Sequence, residues 1–395
     1  MKLRIPKSQD GFTLLELLIA SVIGLGIMVA MTSVFRMASS TAFTITQRAE
    51  TQQNMRTAIE LMSKDVSMAG AGLPTGGLQL PNANGNSRIA CNQTGTCYVP
   101  GAVYPNNNYM TGVIPGFGNG VEANKIIPSA STAINDSITS IYCDYNFSLS
   151  NFTFTFPSTT QANVVLKNAA VNPNNILAPG GLQVGDLLLF LVQTPGTGVN
   201  AANGQGTSSV QTSVAVGEIT GLPAAGSGSP WAVNFAAGDP LNINQPAAAP
   251  NSLAFTINSL GAGLGVGAGN TVNVCRLYAV TYFLEVPAPG TTVQTPRLMR
   301  QVNGLPAVPV ADNVINLQFS YDVINSVNNT IDANQANPIA AGDSPALIQK
   351  VNMWVMGQSL TKGNNRAQSM YLASSVSTGN MSFCNSYSNS NTACQ

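Results

Sequence analysis

Between Phe12 and Phe35 the chain presents an almost unbroken apolar run in which Glu16 is the one charged side chain. As a helix this run would be about 36 Å long, against about 30 Å for the hydrocarbon core of a bilayer. Lys2, Arg4 and Lys7 precede it as a short basic leader. Those charges should hold residues 1–11 on the cytoplasmic side and send the rest outward. A carboxylate inside such a run is costly unless a cation meets it, so Glu16 is expected to have a function and a cationic partner.

A secretory signal is cut after its apolar run, at small residues. Here the distinctive junction, Gly11-Phe12, comes before it. The stretch GFTLLELLIA resembles the class III signal of type IV prepilins and type II secretion pseudopilins. The resemblance implies that a prepilin peptidase cuts after Gly11 and methylates the new N-terminus on Phe12. It also implies that Glu16 neutralises the N-terminal amine of a neighbouring subunit during assembly. Two buried charges attracting across subunits would supply register as well as energy. Many major pilins carry a proline midway through this helix. This chain has none there, and Gly24 and Gly26 are its weak points, each costing about 1 kcal/mol relative to alanine.

The helical pattern continues beyond the run. Met55, Ile59, Met62, Val66 and Ala69 fall on one face, and Arg56, Glu60 and Lys64 alternate in sign on another. Gly70, Gly72 and Pro74 then stop the helix. The expected organisation is a leader at 1–11, a long helix at 12–69 with 12–35 spanning the membrane, and a head at 70–395. A break near Ser39–Thr41, giving a separate amphipathic helix, is the alternative.

In the head, β-branched and aromatic runs alternate with turn clusters. Strands are predicted at 137–143, 151–156, 163–167, 185–193, 210–219, 253–258, 272–286, 314–322 and 348–356. Low-complexity loops are predicted at 195–208, 222–251, 260–270 and 326–345. The fold class is therefore α+β, a long N-terminal helix followed by a β-sheet-rich head. Charged residues make up only 8% of the chain. From residue 69 onward there are nine basic and eleven acidic side chains, so no positive field attracts nucleic acid.

The chain has no histidine, which removes the commonest general base, the usual metal ligand and any Ser-His or Cys-His pair. No enzymatic role, cofactor or metal is expected. The glycine-rich run from Gly261 to Gly267 fails the dinucleotide spacing. Asp312, Asp322, Asp332 and Asp343 would bind calcium only if folding gathered them. Six cysteines, Cys91, Cys97, Cys143, Cys275, Cys384 and Cys394, allow fifteen full pairings. Proximity in the chain favours Cys91–Cys97 and Cys384–Cys394, leaving Cys143–Cys275. Buried free thiols are the alternative, and disulfides would place the head outside the reducing cytoplasm.

The head resembles the large minor pilins of the PilW type. The residues that carry this are Gly185-Asp186-Leu187-Leu188-Leu189, Arg297-Leu298-Met299-Arg300, the run Val310–Tyr321, and Val351-Asn352-Met353-Trp354-Val355. The resemblance implies a minor pilin-like structural subunit that helps filament initiation, assembly or tip function. Its partners would be a prepilin peptidase, other pilins through the N-terminal helix, the inner-membrane assembly platform, and lipid before assembly. It would reside in the bacterial inner membrane and in the assembled pilus or pseudopilus. The alternatives are a pseudopilin of a type II secretion system and, in another class, a membrane-anchored extracytoplasmic enzyme or ligand-binding protein.

Overall fold

The computed structural model describes residues 11–381 except 75, 91–108, 122–133, 145–146, 148, 150, 167–175, 178–180, 195–210, 225–226, 261–270, 287–295, 326–327, 329, 339–342 and 360–368. Helix α1 spans Leu14–Ser67, 54 residues without interruption through Ser39–Thr41. At Ser40 and Thr41 both hydroxyls donate to the Met37 carbonyl, at 2.9 and 2.8 Å. Ser21, Thr32 and Ser33 likewise bond to carbonyls three or four residues back, so the polar atoms of the apolar run are satisfied within the helix. Gly70 and Gly72 end the element with φ of 82° and 75°, a region open to glycine and strained for other residues.

The strands that follow are β1 (Leu78–Gln79), β2 (Tyr109–Met110), β3 (Val113–Gly116), β4 (Ser137–Cys143), β5 (Phe152–Ser158), β6 (Gln161–Leu166), β7 (Leu187–Thr194), β8 (Gln211–Glu218) and β9 (Trp231–Asn234). Helix α2 (Leu253–Leu260) intervenes before β10 (Thr271–Glu285), β11 (Arg297–Val302), β12 (Val308–Asp312), β13 (Val314–Ile324), β14 (Ile331–Gln335), β15 (Ile348–Gln358) and β16 (Ser369–Ser377). The fold class is α+β, one long helix and a β-rich head.

Strand β10, 15 residues long, is the spine of the largest sheet. Its N-terminal half pairs with β7, which pairs in turn with β8. Its C-terminal half pairs with β4 and β11, extending the sheet to β3 on one side and β12 on the other. A second sheet has the order β14-β13-β15-β16 and packs one face on α1. A third, β5-β6-β9, closes with α2 over an aromatic core in which Phe190 meets Phe154, Phe156 and Phe235 edge to face.

Three sequence expectations are corrected here. Residues 253–258 lie in helix α2 and not in a strand. The Ser252 hydroxyl accepts from the Phe255 amide at 3.0 Å as an N-cap, and Leu253 and Ile257, one turn apart, enter the aromatic core together. The stretch 222–251 is not one long loop, because it contains β9 and a turn held by buried side chains. Asp239 accepts from the amides of Ile243 and Asn244 at 2.7 and 3.0 Å. The stretch 326–345 contains β14, which pairs with β13. Residues 195–208 and 261–270 of the predicted loops, with the Gly261–Gly267 run, lie outside the described residues.

Candidate functional site

Helix α1 divides into two halves by what its side chains touch. From Leu14 to Ile45 every large apolar side chain is at least half-exposed, and Phe12 ahead of it is 88% exposed. A soluble surface does not leave so much apolar area in water, so lipid or other subunits must cover it. This helix is long and apolar enough to cross a membrane. The second half turns one face inward, where Met55, Ile59, Met62 and Val66 are buried. Burying each such side chain contributes about 1.5–3 kcal/mol. Gly357 of β15 lies against this face, where an added Cβ would be 2.6 Å from the Met55 sulfur.

The first turn holds the residues singled out in the sequence. Gly11 and Phe12 are exposed, immediately before the N-cap Thr13. The Thr13 hydroxyl accepts from the Glu16 amide at 3.2 Å, and the Glu16 carboxylate accepts from the Thr13 amide and hydroxyl, both at 3.0 Å. This is a capping box, a self-contained satisfaction of the helix N-terminus. Among the described residues no basic side chain pairs with Glu16.

A second carboxylate on the same helix has the opposite fate. Asp65, 3% exposed, accepts from the Tyr142 hydroxyl at 2.8 Å, the Tyr282 hydroxyl at 2.6 Å and Arg300 Nε at 2.9 Å. The donors come from β4, β10 and β11, so this one carboxylate ties the helix to three adjacent strands. Burial first, and then the Asp65 charge, push both tyrosine hydroxyls upward in pKa. Burial disfavours the Arg300 cation, but its bonds to Asp65 outweigh that and hold it charged. Asp65 was not singled out from the sequence. The signal available there was a carboxylate on the apolar face, three residues after Met62.

Cys143 and Cys275 are joined in a disulfide across β4 and β10. The residue that follows each cysteine continues the link, since Arg276 bonds Asp144. The Arg276 guanidinium also lies 4.3 Å over the Phe147 ring. Cys91, Cys97, Cys384 and Cys394 lie outside the described residues, as do residues 1–10 of the leader. The aspartates considered for calcium are not brought to one point. Asp322 pairs with Lys350 at 3.3 Å, and Asp332 accepts from Asn325 at 2.8 Å.

Residues 6–32 match the prokaryotic N-terminal methylation motif. That segment contains Gly11, Phe12 and Glu16, and it continues into α1. The motif is the type IV pilin-type signal, so the chain is pilin-like or pseudopilin-like at its N-terminus. It implies processing by a prepilin peptidase and assembly with other pilins. Together with the apolar helix, it is consistent with membrane anchoring and association with a pilus. No curated protein and no solved structure matches the chain significantly.

Proposed function

We propose that this chain is a structural subunit of a type IV pilus, a minor pilin that helps filament initiation, assembly or tip function. The carrying observation is one continuous helix that begins in a methylation motif. It leaves its apolar first half uncovered and fixes its second half to the head through Asp65. A plain membrane anchor needs the apolar half alone. A filament subunit also needs a rigid connection, so that the position of the head follows the packing of the helices.

On this reading the peptidase cuts at Gly11-Phe12, and Glu16 meets a neighbour's N-terminal amine. The head then stands outside the inner membrane. The role is structural and not catalytic, in keeping with a sequence that has no histidine. The long Asn-, Gly- and Ser-rich head favours a low-copy subunit over the repeating body of the filament. Mass spectrometry of the mature protein tests the reading, with N-methylated Phe12 as the expected first residue. Retention of Met1, or a cut beyond Phe35, would overturn it.

A further inference from the structure

The outer face of the sheet β14-β13-β15-β16, turned away from α1, forms an open groove of about 550 Å³. That volume falls in the range of about 300–1,000 Å³ typical of small-ligand sites. We propose that this groove binds an uncharged carbohydrate, an exposed hexose or N-acetylhexosamine chain. The proposal stands independently of the filament reading.

Trp354 lies at the centre of the groove, in register with Gln318 on β13 and Ala373 on β16. Ala373, its cross-strand neighbour, carries only a methyl group. Tyr371, 67% exposed, extends the aromatic surface, with its ring centroid 6.0 Å from that of Trp354. The next cross-strand row is Ser320, Asn352 and Ser375. An apolar ring face bordered by hydroxyls and amides matches a pyranose, which presents a C–H face and a rim of hydroxyl donors and acceptors.

The charges and the unused polar atoms narrow the ligand. The Asp322 carboxylate is already taken, by the Asn334 amide at 2.9 Å, Asn352 Nδ2 at 3.2 Å and Lys350 Nζ at 3.3 Å. Among the described residues the Asp322 carboxylate and the Lys350 ammonium beside the groove therefore cancel, and none of these residues selects an anionic or cationic polymer. Asn352 Nδ2 also donates to Asn334 Oδ1 at 3.2 Å, and Gln318 Nε2 donates to the Ile134 carbonyl at 3.3 Å. These bonds orient the amides and leave Asn352 Oδ1, Gln318 Oε1 and the Ser320 and Ser375 hydroxyls without protein partners among the described residues. An apolar helix from another subunit would bury these groups unsatisfied, at about 1–3 kcal/mol each. A saccharide would satisfy them.

The test uses the full chain in a zwitterionic detergent free of sugar headgroups, titrated with neutral hexose and N-acetylhexosamine oligomers. The chain has two tryptophans, and Trp231 is buried at 4% exposure, so Trp354 fluorescence reports on the groove. A saturable change is expected, retained in Trp231→Phe. Asn352→Ala should weaken binding about tenfold, the equivalent of about 1.4 kcal/mol. Tyr371→Ala, a change at an exposed site that spares the core, should weaken it as well. No saturable response to any neutral oligomer, affinity undiminished in both variants, or binding confined to sialylated or sulfated chains would each overturn the proposal.

Discussion

Glu16 has two candidate roles, and the capping box shows how to separate them. In the isolated chain its carboxylate closes the helix N-terminus on Thr13. In a filament it would leave that position, or share it, to meet a neighbour's N-terminal amine. Glutamine can serve in a capping box but carries no charge. Glu16→Gln therefore preserves the local cap and loses its charge interaction with the helix dipole, about 0.3–1 kcal/mol. The same change strands the partner amine, and breaking a buried ion pair costs about 3–5 kcal/mol. At about 1.4 kcal/mol per tenfold, incorporation should fall more than about a hundredfold at equilibrium, with membrane insertion intact. Glu16→Ala should show the same loss. The measurement is the ratio of subunit in sheared filaments to subunit in membranes, for wild type and both variants. If the cap were the whole role, Gln would stay within about fivefold of wild type and Ala would fall further. That pattern would remove the intersubunit charge pair from the argument.

Asp65→Asn leaves Arg300 without its counter-charge, a loss of about 3 kcal/mol, taken at the low end because the arginine keeps some solvent. Calorimetry on the solubilised chain should show a melting point lower by about 3–5 °C, partly recovered in Asp65→Asn with Arg300→Met, and a fall under about 1 °C would refute the anchor. Glu218, buried and bonded to Asp239, has its carboxyl pushed up to about 8, so the folded state holds a proton that the unfolded state releases near 4.5. The contribution of Glu218 to stability should therefore be full below about pH 4.5 and fall by up to about 1.4 kcal/mol per unit as pH rises toward 8, and urea melts of Glu218→Gln should show that slope flattened. Replacing Cys143 and Cys275 by serine opens a link spanning 132 residues and should cost about 2–5 kcal/mol, read as a urea midpoint below that of the oxidised wild type.

What was legible in the sequence was what repeats over a short distance. The apolar run, the Met55–Ala69 stripe and the alternation in 314–322 and 348–356 each report one element's own face, and α1, β13 and β15 lie there. Residues 253–258 misled because Leu253, Phe255 and Ile257 alternate as a strand would, while the cap at Ser252 and the shared burial of Leu253 and Ile257 favour the helix. Strands β9 and β14 were hidden because four or five residues of mixed polarity acquire strand geometry from a partner strand.

The two carboxylates of α1 show the same limit at the site. Glu16 was conspicuous because its apolar surroundings are contiguous in sequence. Asp65 was not, because Tyr142, Tyr282 and Arg300 reach it from 77, 217 and 235 residues away. Their environments also assign their roles. Asp65 is supplied with an arginine and two tyrosine hydroxyls by its own chain, and nothing further is needed from outside. Among the described residues Glu16 is supplied only with the neutral donors of its own cap, on a segment whose large apolar side chains are at least half-exposed. Once lipid or neighbouring helices exclude water from that segment, neutral donors no longer offset the cost of the charge, and on the proposed reading a cation comes from another molecule. The contrast between the two residues, on one helix and under one set of physical rules, supports the proposal that Asp65 fixes the head while Glu16 is the charge that remains for a partner.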